Sequence, residues 1–290
     1  MDKQMTAAQV VSSLEDGMTI GIGGWGPRRK PMALVREILR SNLKDLTLVA
    51  YGGADVGMLC ATGRVRKLVF AFVSLDFIPL EPFFRQARQN AAMQVMEIDE
   101  GMMLLGLRAA AWGLPFIPTE VGLGTDIVTR NPDIKVIDSP YDDKEWVAMP
   151  ALKLDAALLH ADRADARGVC QIAGPDHYMD DWFARAADKT YVSCEEIVPT
   201  EYFHDEAIAR QVYWERAATT GVVPIPGGAH PSSCAPAYGF DVPHFKAYTG
   251  FAKEGGIDAY LAQHLGATEQ EYQDSVGGLD AIRAIELPSY

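Results

Sequence analysis

Cysteine is scarce and scattered in this chain. Cys60, Cys170, Cys194 and Cys234 form no C-x-x-C pair, so neither a disulfide framework nor a zinc knuckle is suggested, and reduced thiols are expected. Positive charge is short as well: 26 Lys and Arg against 39 Asp and Glu leave a formal net charge of −13 and a pI near 4.9. That balance repels nucleic-acid backbones and anionic membranes, so neither is an expected partner, and an anionic substrate has to be met by a local basic cluster. Long apolar runs are missing too. No stretch reaches the ~20 uninterrupted apolar residues of a membrane span, and the start, Met1 to Gln4, leads into a polar, helix-like stretch without the apolar core of a secretory signal. The expected location is cytoplasmic. No Ser/Gly/Pro-rich linker, internal repeat or low-complexity tract divides the sequence, no G-x-S-x-G elbow announces a serine hydrolase, and no His/carboxylate spacing suggests a metal.

What is present is enough apolar material for a large core: 48% of 290 residues. Short apolar runs at 18–24, 46–51, 67–73 and 92–98 alternate with helix-period segments at 32–39, 83–88 and 102–112, and further strand-like runs follow at 147–149, 156–161 and 190–194. This rhythm predicts an α/β architecture with an open, mostly parallel sheet and flanking helices. The stretch 122–144 reads as an ordered excursion, not a boundary, and residues 244–290 as polar-faced helices that finish the surface or an interface. One domain over 1–290 is expected.

Gly21-Ile22-Gly23-Gly24-Trp25-Gly26 satisfies G-x-G-x-x-G after a predicted strand, which invites a dinucleotide-binding reading. The context opposes it. Pro27-Arg28-Arg29-Lys30-Pro31 intervenes before the helix, which starts at Pro31, and Tyr51-Gly52-Gly53 stands where an acidic ribose partner belongs. What survives is a glycine-lined turn that lets backbone approach a ligand, followed by cations that could meet a carboxylate or phosphate. Taken alone, the same residues suit a tight turn with solvated Arg and Lys.

The run 23–31 resembles the glycine turn of alpha subunits of family I coenzyme A transferases of the glutaconate type. The stretches 109–116, 147–150, 154–161, 194–197 and 228–232 also have counterparts there, in order and spacing. The resemblance covers nearly the whole chain. It implies that fold, a beta-type partner subunit in an α2β2 heteromer, and an acyl-coenzyme A substrate, with coenzyme A entering as part of the substrate and no covalently bound cofactor. Trp25-Gly26 with Arg28-Arg29-Lys30-Pro31-Met32, the strand end Phe72-Val73-Ser74-Leu75-Asp76, and Asp99-Glu100-Gly101-Met102 are more similar to the Ipd-type ring-opening hydrolases of steroid catabolism, which use the transferase fold for another reaction. In the hydrolase branch the position of Glu100 is the catalytic glutamate, whereas glutaconate-type transferases carry glutamine there.

Physically, Asp99 can cap a helix starting near Gly101, which places Glu100 in the first turn, where the dipole favours the ionised carboxylate by about 0.3–1 kcal/mol. Partial desolvation at a subunit boundary pushes the other way, toward the range of a general base. The resemblance implies water addition to a ring ketone beta to the thioester, followed by retro-Claisen-like carbon–carbon cleavage with the thioester retained. The candidate substrate-binding groups are Gly23, Gly24, Trp25, Gly26, Arg28, Arg29, Lys30 and Ser74, with turn amides and cations receiving the negative charge. His160 and His230 read as hydrogen-bonded structural histidines, and Glu97, Asp76, Glu120 and Asp126 as solvated carboxylates. Two alternatives remain: a transferase subunit moving coenzyme A between an acyl donor and a carboxylate such as glutaconate or a 3-oxoacid, and a ligand-binding subunit without chemistry of its own.

Overall fold

The computed structural model describes residues 2–175 and 177–287. The main sheet is built from β1 (Thr19–Ile22), β2 (Leu46–Gly52), β3 (Val65–Val73), β4 (Gln94–Glu97), β8 (Leu154–Ala164), β10 (Ala187–Ile197) and β11 (Gly221–Pro224), with the short β9 (Cys170–Gln171) folded back on β8. Its order is β11-β10-β8-β1-β2-β3-β4, and every neighbouring pair along that path is parallel. A parallel sheet needs cover on both faces, which is why β2 is buried at every position. Alternate side chains serve opposite faces. Leu48 and Ala50 join a core with the helices Met32–Arg40, Ala54–Ala61 and Pro82–Gln89, whereas Val49 and Tyr51 join a second core with the helices Glu100–Ala111 and Asp180–Ala186.

The chain steps from β1 outward to β4, then returns to β8 on the other side of β1. The order therefore reverses between β1 and β8, and such a switch point opens a crevice outside the carboxyl ends of the strands. The turn that follows β1 meets Asp180 there, through Gly24 and Arg29.

The α/β reading and its principal strands hold, with ends shifted by a few residues. The excursion 122–144 is more regular than expected. It contains a helix, Asp126–Arg130, and a strand, β6 (Lys135–Asp138). Together with β5 (Phe116–Thr119) and β7 (Glu145–Pro150), that strand forms a separate antiparallel sheet of order β5-β7-β6. The C-terminal segment forms the expected helices, but they do more than finish a surface: Phe245, Tyr248 and Tyr260 are buried in the first core. Residues 288–290 of that segment, like Met1 of the N-terminal stretch, lie outside the described residues.

Candidate active site

The amides of the glycine turn at the end of β1 all have acceptors within the protein. Gly23 N donates to Leu158 O at 2.9 Å, Gly24 N to Asp180 Oδ1 at 2.8 Å, Trp25 N to Arg28 O at 2.9 Å and Gly26 N to Tyr51 O at 3.2 Å. The amides expected to receive negative charge are thus already engaged. The glycines serve packing instead: a Cβ on Gly23 would lie 2.5 Å from Asp180 Oδ1, and Gly24, at φ +72°, would bring one to 2.5 Å from the carbonyls of Arg28 and Arg29.

The cations that follow divide by burial. Lys30 is sealed, its Nζ 2.9 Å from Asp55 Oδ2 and 3.0 Å from Gly23 O. It is unavailable to a ligand, because removing it from Asp55 would strand two buried charges. Arg29 is also buried and donates through Nη1 to Asp180 Oδ2 at 2.5 Å and to His160 O at 3.1 Å. Burial opposes its charge, but Asp180 and then Asp162 outweigh that and raise its pKa. Arg28 is the most open of the three, with 18% of its side chain exposed; it pairs with Asp76 and lies 5.1 Å from the Trp25 ring centroid. Asp76 is therefore an ion-pair partner and not the solvated carboxylate expected; Glu97, Glu120 and Asp126 are exposed as expected.

Above the crevice lies an open cavity of about 770 Å³ lined by Trp25, Arg28, Arg29, Gly174, Pro175, Tyr178, Met179, Ser233 and Pro236, among others. Trp25 and Tyr178 both belong to its lining, nearly parallel, with ring centroids 6.4 Å apart and planes within 11°. From Trp25 an aromatic row runs along the sheet edge: Phe72 meets Trp25 edge-on at 4.7 Å, and Tyr51 lies 5.9 Å from Phe72. Ser74 is half-buried on this edge, where its Oγ accepts from Asp76 N at 3.0 Å.

Glu100 ends the row. It is the first residue of its helix; Asp99 caps that helix as expected, accepting from Gly101 N at 2.7 Å, and the Tyr51 hydroxyl donates to the Glu100 carbonyl at 2.9 Å. The Glu100 side chain is exposed and does not line the cavity. The turn, Arg28, Ser74 and Glu100 thus share one edge of the sheet, beyond the carboxyl ends of β1, β3 and β4, with Glu100 at its open end.

Sequence reasoning gave Asp180, Tyr178, Phe72 and Tyr51 no place in the site: Phe72 and Tyr51 were read only as parts of strand ends, and no local motif marks Asp180 or Tyr178. It also missed a polar cluster at the ends of β8 and β10. His160 Nδ1 lies 2.8 Å from Ser193 Oγ and its Nε2 3.0 Å from Glu195 Oε1, which also accepts from Tyr238 Oη at 2.7 Å, while Glu195 Oε2 accepts from Gly227 N at 2.8 Å. Burial raises the Glu195 pKa, but its hydrogen bond to His160 and the other donors outweigh that and hold it low. His160, Glu195 and Cys234 are the group of metal-ligand type among the described residues. Each is already bonded to other protein groups, Cys234 Sγ to Asp162 Oδ1 at 3.8 Å, as in a structural network. His160 and His230 both have hydrogen-bond partners, the latter Tyr272 and Asp241.

Residues 4–216 match the family model described as coenzyme A transferase. The cholesterol ring-cleaving hydrolase IpdA subunit of Rhodococcus jostii strain RHA1 is 42% identical, over 95% of this chain and 96% of that one. The corresponding subunit of glutaconate CoA-transferase from Acidaminococcus fermentans is 30% identical, over 99% of this chain and 95% of its own length. The crystal structure of that glutaconate coenzyme A-transferase superimposes with a TM-score of 0.90 at 28% identity, covering 99% and 96% of the two chains. An open parallel sheet with its site at a switch point, matched over nearly its full length in sequence and in structure, places this chain in the coenzyme A transferase family.

Proposed function

We propose that this chain is the alpha-type subunit of a heteromeric acyl-coenzyme A ring-opening hydrolase, acting in the cytoplasm on a cyclic beta-keto thioester of the kind met in steroid breakdown. The observation that carries the reading is a carboxylate, Glu100, at the head of a capped helix on the sheet edge that also holds Arg28 and Ser74. The 42% identity to a ring-cleaving hydrolase subunit, against 30% to a transferase subunit, supports the same choice.

In this reading Glu100 takes a proton from water while the hydroxide adds to the ring ketone. The tetrahedral adduct collapses, the bond to the carbon between ketone and thioester breaks, and its electron pair enters the thioester enolate. Glu100 returns its proton to that carbon, so the product gains one water and keeps the thioester. With the turn amides engaged, Arg28, the most open cation of the run though paired with Asp76, is the candidate to balance anionic charge, and the rings of Trp25 and Tyr178 give the cavity wall flat apolar surface. The relatives are named as subunits, and the exposed Glu100 is suited to a site closed by a beta-type partner, with α2β2 the assembly proposed.

The test is co-expression with the beta-type partner and mass spectrometry of the product from a cyclic beta-keto acyl-coenzyme A. A gain of one water with the thioester intact, lost in Glu100→Gln, is expected. Exchange of coenzyme A onto added acetate, indifferent to Glu100, would instead identify a transferase whose nucleophile lies in the partner. Ring opening that survives Glu100→Gln would leave this chain as a ligand-binding subunit.

A further inference from the structure

We infer that Tyr51 is a positioning residue for Glu100, fixing the base relative to the glycine turn beside the cavity; this rests on the base role proposed above. The Tyr51 ring is fully buried, with Phe72 and Phe183 at centroid distances of 5.9 and 6.4 Å. A phenylalanine would fill that space equally well. The hydroxyl is the costly part, since a buried phenol oxygen needs a hydrogen-bond partner. It is spent on one atom, the main-chain carbonyl of Glu100, at 2.9 Å. Burial, then the charges of Glu100 and Asp99, raise the phenol's pKa, so it stays a donor throughout the working range.

Glu100 needs such a hold. It occupies the first position of its helix, where ends fray, and its side chain is exposed. Asp99 grips the turn from the solvent side through Gly101 N, and Tyr51 grips it from the core. The same tyrosine also accepts from Gly26 N at 3.2 Å through its own carbonyl. One residue of β2 therefore ties the turn beside the cavity to the helix that carries the base, and sets the spacing between them. A displacement of about 1 Å in a reacting group can cost about 10²-fold in rate.

The experiment uses the co-expressed complex and compares wild type, Tyr51→Phe, Glu100→Gln and the double variant on a cyclic beta-keto acyl-coenzyme A. Tyr51→Phe is expected to lower kcat roughly tenfold or more, with KM and Tm unchanged. In the Glu100→Gln background it is expected to take nothing further from the residual rate, because the hydroxyl acts through that carboxylate. A wild-type kcat in Tyr51→Phe, or the same fractional loss in both backgrounds, overturns the inference and leaves the base assignment standing. Full activity of Glu100→Gln overturns both. Should Tyr51→Phe fail to fold, Tyr51→Met removes the same hydroxyl with a more adaptable side chain, and a wild-type kcat there overturns the inference.

Discussion

Asp180 carries more of the site's architecture than any residue the sequence singles out. It is fully buried, accepts from the Gly24 amide and from Arg29, and occupies the space that a side chain on Gly23 would need. Truncating it to alanine leaves a buried guanidinium short of its counter-charge, a loss of about 3–5 kcal/mol by the behaviour of broken buried pairs. The denaturant midpoint should fall accordingly with an unchanged m-value; a shift worth less than about 1 kcal/mol would mean that Arg29 finds another partner nearby. Asp180→Asn keeps an acceptor for Gly24 and should lose less. These two outcomes bear on what was legible. The glycines at 23, 24 and 26 were readable as a place of close approach, but what approaches them is a carboxylate far along the chain, together with the turn's own carbonyls. Likewise Arg28, Arg29 and Lys30 were visible as a basic cluster, whereas their division into one open and two buried cations is decided by Asp76, Asp180 and Asp55, which no local pattern connects to them.

At the scale of elements, legibility follows how local the determining interactions are. The helix Glu100–Ala111 was readable because its start is written beside it: Asp99 accepts from Gly101 N, the contact its position predicts. Asp99→Ala should therefore destabilise the protein by about 1 kcal/mol, and Asp99→Asn by little, measured by chemical denaturation. A larger loss in the asparagine variant would show that charge, and not capping, holds that end. β6 was not readable, for the opposite reason. It is four residues long and largely exposed, so it lacks the apolar alternation that marks a strand, and it exists because β7 supplies its hydrogen bonds. Short edge elements of this kind are set by their partner, not by their own sequence.

For the molecule as a whole, buried titration sets the dependence of stability on pH. His230, His244 and His264 lie in a row, the last two on the C-terminal helices Val242–Phe251 and Gly256–His264, with ring centroids 5.2 and 5.1 Å apart, flanked by Tyr260, Tyr272, Asp241 and Arg36. Burial, and then the like charge of its two neighbours, pushes His244 down to about 3; burial lowers His230 and His264 as well. Unfolded histidines titrate near 6.5, so below that pH the unfolded chain binds protons that the native protein refuses, and stability falls as the pH drops. Glu81 works against this. Burial raises its carboxyl to about 7, so the native state keeps a proton that the unfolded chain releases above roughly 4.5, and the stability it adds on the acid side is lost as the pH rises through 7. Between pH 7 and pH 5 the gain from Glu81, about 2 kcal/mol, is the size of the loss from His244, so the net fall comes from His230 and His264. Tm should therefore decline from about pH 7 to about pH 5, with His244 alone contributing about 2 kcal/mol of loss at the lower value. His244→Gln, which keeps a hydrogen-bond partner for the Tyr260 hydroxyl without titrating, should flatten that limb. A Tm profile flat across the interval, or one that His244→Gln leaves unchanged, would mean that the histidines protonate in place, and that the C-terminal helices yield to admit water without the fold being lost.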